Sequence, residues 1–219
     1  VKKPELIRGI FITLEGIEGC GKSTQAVLLA KALKSAGYRV KLTREPGGTP
    51  LGNAVRRILL NSTELKILPL SELLLYLVSR YQHVEEVIKK ELKKKNIVIS
   101  DRFSDSSVAY QGFGRGLGGT FVGKLDKFVT GGLKPDLTFI LDCPAVTGIK
   151  RVLSKRKPDR IERENIAFHE KVRKGYIKIA EQDKKRIVII DSTKSAEEVS
   201  KKILSVVKRR FNLGNINEI

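Results

Sequence analysis

The segment Gly9-Ile10-Phe11-Ile12-Thr13-Leu14-Glu15-Gly16-Ile17-Glu18-Gly19-Cys20-Gly21-Lys22-Ser23 decides how the rest of the chain is read. Gly9 to Glu15 is a short apolar, β-branched and aromatic run, the composition of a buried strand. Gly16 to Ser23 then fits G-x-x-x-x-G-K-[ST] without a gap. Beyond it, Ala26, Leu29, Ala30 and Leu33 recur at helical spacing, which predicts a helix from Lys22 to Ser35 that Gly37 stops. A glycine-rich turn between a strand and a helix lets successive backbone N–H groups wrap an anion, and the positive end of the helix faces the same anion. Gly16, Ile17, Glu18, Gly19, Cys20, Gly21, Lys22, Ser23 and Thr24 are therefore expected to bind the phosphates of ATP. Lys22 should reach the β- and γ-phosphates, and the Ser23 hydroxyl should ligate Mg2+. Cys20 has no accompanying base motif and is read as a small side chain tolerated at a free position of the loop.

Outward from this segment, strands and helices alternate. Strands are predicted over Tyr38–Thr43, Ile97–Ser100, Leu137–Leu141 and Ile187–Ile190. Helices are predicted over Leu51–Leu60, Ser71 to about Lys95, Ala145–Ser154, Asn165–Lys184 and Ala196–Arg210. Gly112–Thr120 is glycine-rich and reads as a mobile loop, and the tail from Asn212 is expected to fray. Short continuous apolar strands separated by helices imply an α/β fold: three layers, a five-stranded parallel sheet with helices on both faces, and a short lid at about residues 154–164. No repeat, linker or internal boundary interrupts the chain, so residues 1–219 are expected to form one domain.

The chain of 219 residues carries 43 basic and 24 acidic side chains, a net charge of +19. The lysines are spread along helical stretches such as Lys89–Lys95, and no aromatic stacking platform accompanies them, so a solvated surface around anionic substrates is preferred to a nucleic-acid partner. The apolar runs are too short to span a membrane, and no secretory signal is read at the N-terminus. Two isolated cysteines, Cys20 and Cys143, make neither a disulfide framework nor a metal site and suit a reducing cytoplasm.

A phosphate loop alone leaves motor, switch, ATPase and kinase open. Further residues narrow the field. Asp101-Arg102-Phe103-Ser104-Asp105-Ser106-Ser107-Val108-Ala109-Tyr110-Gln111 resembles the D-R-[YF]-x-x-S-x-x-A-Y-Q signature of thymidylate kinases. Arg44-Glu45-Pro46-Gly47-Gly48-Thr49 resembles a second loop of that family, and Asp159-Arg160-Ile161-Glu162 the end of its lid. The resemblance extends from Gly9 to about Glu198 and implies transfer of a phosphoryl group from ATP to dTMP, with Mg2+, by a homodimer.

The resemblance also distributes roles. Arg44 and Arg102 would hold the acceptor phosphate, and guanidinium forks suit that geometry. Glu18 would accept the sugar 3′-hydroxyl, which explains a carboxylate in a loop built for anions. Tyr76 would stack on thymine and Arg80, four residues on along the same helix face, would donate to its O4. Ser106, Tyr110 and Gln111 complete the dTMP set, with Tyr110 beneath the sugar. Asp101, at a strand end, would join Ser23 at Mg2+. The phosphate loop has no arginine, so the lid must supply one, and Arg151, Arg156 and Arg160 are the candidates, with Arg156 and Arg160 taken as catalytic beside Lys22, Asp101 and Arg102. Two other readings stay open at this point: a kinase of another nucleoside monophosphate or of a deoxynucleoside, and a P-loop ATPase working on nucleic acid.

Overall fold

The computed structural model describes residues 6–61, 65–214 and 216. Five strands form a parallel sheet in the order β2-β3-β1-β4-β5. They are β1 (Ile10–Glu15), β2 (Val40–Arg44), β3 (Ile97–Asp101), β4 (Leu137–Asp142) and β5 (Ile187–Asp191). The three central strands are apolar and almost wholly buried, as a sheet covered on both faces requires. Because successive side chains alternate, Ile10, Ile12 and Leu14 enter the main core with α1 (Lys22–Ser35), while Phe11 joins Val98, Phe103, Val84 and Ile88 on the opposite face.

α2 (Pro50–Asn61) and α3 (Pro69–His83) pack against each other. Proline occupies the first helical turn of α3, where its missing N–H costs nothing, so the helix begins before the predicted Ser71. It passes through a π-helical turn, Val84–Ile88, into α4 (Lys89–Lys93). After β3 comes the short α5 (Ser104–Ser107), which opens into a second π-helical turn over Val108–Gly114. α6 (Gly119–Thr130) follows. This is the main departure from the predicted elements: the stretch read as a mobile loop from Gly112 is a helical turn, a short bend and the start of a helix. Val122 and partly buried Leu125 and Val129 pack α6 against Leu73 and Leu77 of α3, which outweighs the low helix propensity of its glycines.

The remaining helices are α7 (Ala145–Leu153), α8 (Ile166–Gln182) and α9 (Ala196–Phe211). α9 starts in a capping box between Ser195 and Glu198. The tail does not simply fray: Asn212 closes α9 in the left-handed region at φ 49°, and Ile216 is buried in the main core. Residue 215 and residues 217–219 lie outside the described residues. The predicted lid, 154–164, is a run of turns between α7 and α8. Among the described residues no helix is long and apolar enough to cross a membrane.

Candidate active site

A cleft of about 530 Å³ opens beyond the C-terminal ends of the strands, between the phosphate loop, the turn after β2, α3, the turn after β3 and the lid. Open parallel sheets place their ligands there, because the loops at that edge diverge and the helix N-termini point into the gap.

The phosphate loop is locked by contacts that only glycine permits. Gly19 sits at φ +69°, and a Cβ there would lie 1.9 Å from the carbonyl oxygen of Gly148 in α7. Gly21, the left-handed residue before α1, brings no side chain to cap the helix, so first-turn N–H groups are left without a side-chain partner. Glu18, Gly19, Cys20, Gly21, Lys22, Ser23 and Thr24 line it. Gly16 and Ile17 do not; they form the base of the loop, where the Gly16 carbonyl accepts from Arg102 Nη1 at 3.0 Å and the Ile17 carbonyl from Lys22 Nζ at 2.6 Å. Lys22 is thus held back over its own loop. Ser23 Oγ donates to Asp101 Oδ2 at 2.5 Å, joining the start of α1 to the end of β3.

Glu18 is the meeting point of the two halves of the cleft. Its Oε1 accepts from Arg102 Nη2 at 2.9 Å and from the Tyr110 hydroxyl at 2.5 Å, and its Oε2 lies 3.2 Å from Nδ1 of the fully buried His169. Burial pushes its pKa up, but His169, Arg102, Lys22 and Tyr110 outweigh that and bring it down to about 2. Arg102 itself is one of three non-glycine residues described with positive φ, at 75°. That conformation costs about 1–3 kcal/mol and persists only where the surroundings over-determine it. They do so here: Arg102 donates its N–H to the Leu14 carbonyl, and the Phe103 N–H goes to Glu15 Oε1 at 2.7 Å. Glu15 Oε2 accepts from Ser106 Oγ at 2.6 Å and Tyr176 OH at 2.9 Å. Burial, reinforced by Asp105, raises the Glu15 pKa to about 7 despite those donors and Arg102.

Arg44, Arg56 and Arg102 converge on the cleft from β2, α2 and the turn after β3. Arg56 escaped the sequence reading because one arginine on a short helix has no distinguishing signal. It donates to the Pro46 carbonyl at 3.0 Å, and burial together with Arg44 holds its pKa below the usual arginine value. Tyr76, Ser106, Tyr110 and Gln111 also line the cleft, as expected. The Ser106 hydroxyl is engaged by Glu15 and Tyr176, however, and its neighbour Ser107, not singled out from the sequence, lines the same wall.

Arg80 is not on that wall. It is 1 % exposed, with Nε bonded to Glu45 at 2.7 Å, Nη1 to Ser107 at 2.8 Å and Asp126 at 2.6 Å, and Nη2 to the Phe103 carbonyl at 3.0 Å. Those bonds use four of the five guanidinium hydrogens. Asp126 comes from α6, the helix the sequence did not reveal.

The lid arginines separate. Arg156 lines the cleft and is paired through both Nη atoms with Glu162, its side chain 56 % exposed. Arg160 turns the other way, donating to the Leu59 carbonyl and to Glu72 Oε2, each at 2.7 Å. Arg151 lies at the far end beside Ser192 and Lys194.

For Mg2+, the donor set fits: a hydroxyl and a carboxylate in contact at the loop leave the remaining positions to phosphate oxygens and water, the usual arrangement for this hard cation. Among the described residues no group of three or more His, Cys, Asp or Glu forms an all-protein metal cage.

A family model described as thymidylate kinase matches residues 14–203. A thymidylate kinase of Geotalea daltonii is 47 % identical over 93 % of this chain and 99 % of its own length. One from Deinococcus radiodurans is 43 % identical over 93 % of this chain and 98 % of its own. The crystal structure of thymidylate kinase from Ehrlichia chaffeensis superposes with a TM-score of 0.74 at 35 % identity, covering 93 % of this chain and 99 % of that one. The chain belongs to the thymidylate kinase family.

Proposed function

We propose that this cleft transfers the γ-phosphoryl group of ATP to the phosphate of dTMP, with Mg2+ held by Ser23 and Asp101. Family membership makes the reaction itself the phosphorylation of dTMP to dTDP by ATP. What carries the assignment of residues is the Glu18–Arg102–Tyr110 cluster, which joins the phosphate loop to the acceptor side by direct hydrogen bonds. When bound, the metal neutralises charge on the donor phosphates. Lys22 exchanges the Ile17 carbonyl for the β- and γ-phosphates. Arg44, Arg56 and Arg102 hold the acceptor phosphate, whose own oxygen is the nucleophile, so no strong base is required. Glu18, ionised at every working pH, accepts the 3′-hydroxyl. Tyr76 stacks on the base and Tyr110 lies under the sugar, while Arg80, bound to Glu45, Ser107 and Asp126, braces the pocket from behind.

Arg156 is the lid arginine we assign to the transferring phosphoryl group. It lines the cleft, and its partner Glu162 is exchanged for phosphate on closure. Arg160 fastens the lid to α2 and α3 instead. Arg156→Ala should then lower kcat more than it raises the KM for ATP; equal losses would leave it a ground-state binding residue.

A homodimer is supported by an apolar stripe on α3, where Leu74, Val78 and Tyr81 are 48 %, 47 % and 54 % exposed, continued on α6 by Phe121 and by Phe128 at 86 %. Sedimentation should give a dimer that Val78→Lys dissociates. Two free, buried cysteines support a reducing cytoplasm as its location. The deciding experiment is a coupled assay with ATP, Mg2+ and dTMP: dTDP is expected, and ATP hydrolysis without a nucleotide product would sink the reading.

A further inference from the structure

Glu72 in α3 lies wholly out of solvent, on the far side of the acceptor wall. Its carboxylate receives four N–H groups. Oε1 accepts from Gln111 Nε2 at 2.8 Å and Arg115 Nε at 3.1 Å, and Oε2 from Arg115 Nη2 at 3.0 Å and Arg160 Nη2 at 2.7 Å. Four donors fill the lone-pair sites of a carboxylate. Burial favours the neutral acid, but the hydrogen bonds from Arg115 and Gln111 and the charges of Arg115 and Arg160 hold its pKa below the usual value. Glu72 is therefore ionised, and an ionised carboxylate can only accept.

That fixes its neighbour. A glutamine amide can present either its oxygen or its nitrogen, and in most sites the choice is open. Facing Glu72, Gln111 has no choice: only the NH2 edge can meet the carboxylate. Gln111 also lines the cleft, in the same wall as Tyr76 and Ser107. The oxygen, on the opposite edge of the amide plane, is then a pure acceptor on the cleft side.

We propose that Glu72 is a specificity-determining positioning residue: by holding the amide nitrogen of Gln111, it sets the hydrogen-bond polarity of the base pocket and makes it select a pyrimidine that offers a ring N–H. This rests on the reading of the cleft as the dTMP site. Thymine and uracil carry a hydrogen on N3 and donate to Gln111 Oε1. Cytosine has a bare N3, so two acceptors would face each other with no proton between them. A site built to pair a polar group rejects a mismatched analogue strongly, because a buried partner is left unsatisfied. Replacing the Glu72 carboxylate by a carboxamide would release the lock, since the new group can present oxygen or nitrogen and Gln111 can turn over to suit either base.

The test compares kcat/KM for dUMP and dCMP, which differ in that ring edge. Wild type should prefer dUMP strongly, and Glu72→Gln should reduce the preference by at least about tenfold, chiefly by admitting dCMP. Arg160→Ala removes another partner of Glu72 but leaves its charge and its bond to Gln111, so the wild-type ratio should survive whatever happens to the rate. A Glu72→Gln enzyme with the wild-type ratio overturns the proposal, as does an Arg160→Ala enzyme that loses the ratio equally. If the wild type makes no dTDP from dTMP, the substrate reading fails instead. Should Glu72→Gln not fold, glutamine 15N labelling of the wild type decides: the Gln111 side-chain NH2 should exchange slowly with solvent before dTMP is added and stay so afterwards. Protection that arises only with dTMP would mean that the nitrogen faces the base, and would overturn the lock.

Discussion

At the donor end of the cleft, a single run from Gly16 to Ser23 supplies the backbone N–H groups, the lysine and the hydroxyl that a triphosphate needs. At the proposed acceptor end, Arg44, Arg56, Tyr76, Arg102 and Gln111 arrive from five separate segments, and buried carboxylates hold two of them, Glu18 pairing with Arg102 and Glu72 with Gln111. The first is local geometry, specified by glycines and by the start of a helix. The second is assembled from distant segments and includes polar networks in which Arg102 and Gln111 depend on buried carboxylates. The two ends should therefore respond differently to substitution: abruptly where one charge acts directly, and by altered pH dependence or selectivity where a support is removed.

The largest effect belongs to the donor end. Lys22 donates to the Ile17 carbonyl, and Lys22→Ala removes the charge that, in the proposed mechanism, moves to the γ-phosphoryl group. A loss of about 3–4 kcal/mol of transition-state stabilisation, or roughly 10²–10³ in kcat, is expected from single-turnover kinetics. Near-normal turnover would show that backbone N–H groups alone suffice, and would erase the contrast between the two ends.

That contrast also governs what could be read from the sequence. The phosphate loop and the helix after it were legible because the motif is contiguous and its context is a strand before and a helix after; α1 runs from Lys22 to Ser35 as predicted. The signature from Asp101 to Gln111 points to one wall of the cleft, but spacing does not say which hydroxyls are already engaged. The signature singles out Ser106, whose oxygen is bound to Glu15 and Tyr176. The π-helical turn at Val108–Gly114 adds a residue to the helical ring and re-aims Tyr110 and Gln111, a feature no 3.6-residue periodicity announces. α6 had a signal in Val122, Leu125 and Val129, but Gly118, Gly119 and Gly123 nearby masked it. With α6 went Asp126 and the fact that Arg80 is clamped behind the wall rather than lying on it. The lid resemblance leaves Arg151, Arg156 and Arg160 as candidates and cannot tell them apart, because the partner that turns Arg160 away, Glu72, is distant in sequence.

A second prediction concerns the support beneath both ends. Glu15 and Glu18 are separated by two residues, yet burial drives one pKa to about 7 while charged partners bring the other to about 2, from the same usual 4.5. For Glu15 the folded state binds its proton more tightly than the unfolded chain does. Its contribution to stability is fully present below about pH 4.5 and is lost as pH rises through about 7. The loss is on the order of 3 kcal/mol. Glu18 runs the other way: its contribution is present above about pH 4.5 and lost as pH falls through about 2. Denaturant titrations from pH 4 to pH 8 should therefore show a decline that Glu15→Gln flattens, since the Ser106 and Tyr176 hydroxyls can rotate to suit an amide. An unchanged slope in the variant would mean that Glu15 stays charged throughout, and that the Arg102 turn is held by an ion rather than by an acid.

Glu18→Gln acts at the junction. The neutral amide keeps the shape but loses the charge-assisted bond to Arg102 and, in the proposed mechanism, the one to the 3′-hydroxyl, worth about 1.5–3 kcal/mol. The loss should appear in kcat/KM for dTMP while the KM for ATP stays near its wild-type value. A change confined to ATP would assign Glu18 to the donor end and redraw the boundary between the two halves.

The smallest effect should come from Tyr76, where the acceptor end relies on a surface rather than on a charge. Its ring lines the cleft on α3, four residues before Arg80, and its hydroxyl is pushed above the usual tyrosine pKa by burial and by Glu72, so it stays protonated. Stacking on a base uses the face of the ring, which phenylalanine shares. Tyr76→Phe should thus change kcat/KM for dTMP by no more than about twofold, within the ±0.5 kcal/mol that substitutions outside a critical network produce. Tyr76→Ala removes the stacking surface and should lose about 1–3 kcal/mol. The pair of variants separates packing from polarity. If Tyr76→Phe were as damaging as Tyr76→Ala, the hydroxyl would be a binding group, and the acceptor pocket would have one more fixed donor or acceptor than the network behind its wall accounts for.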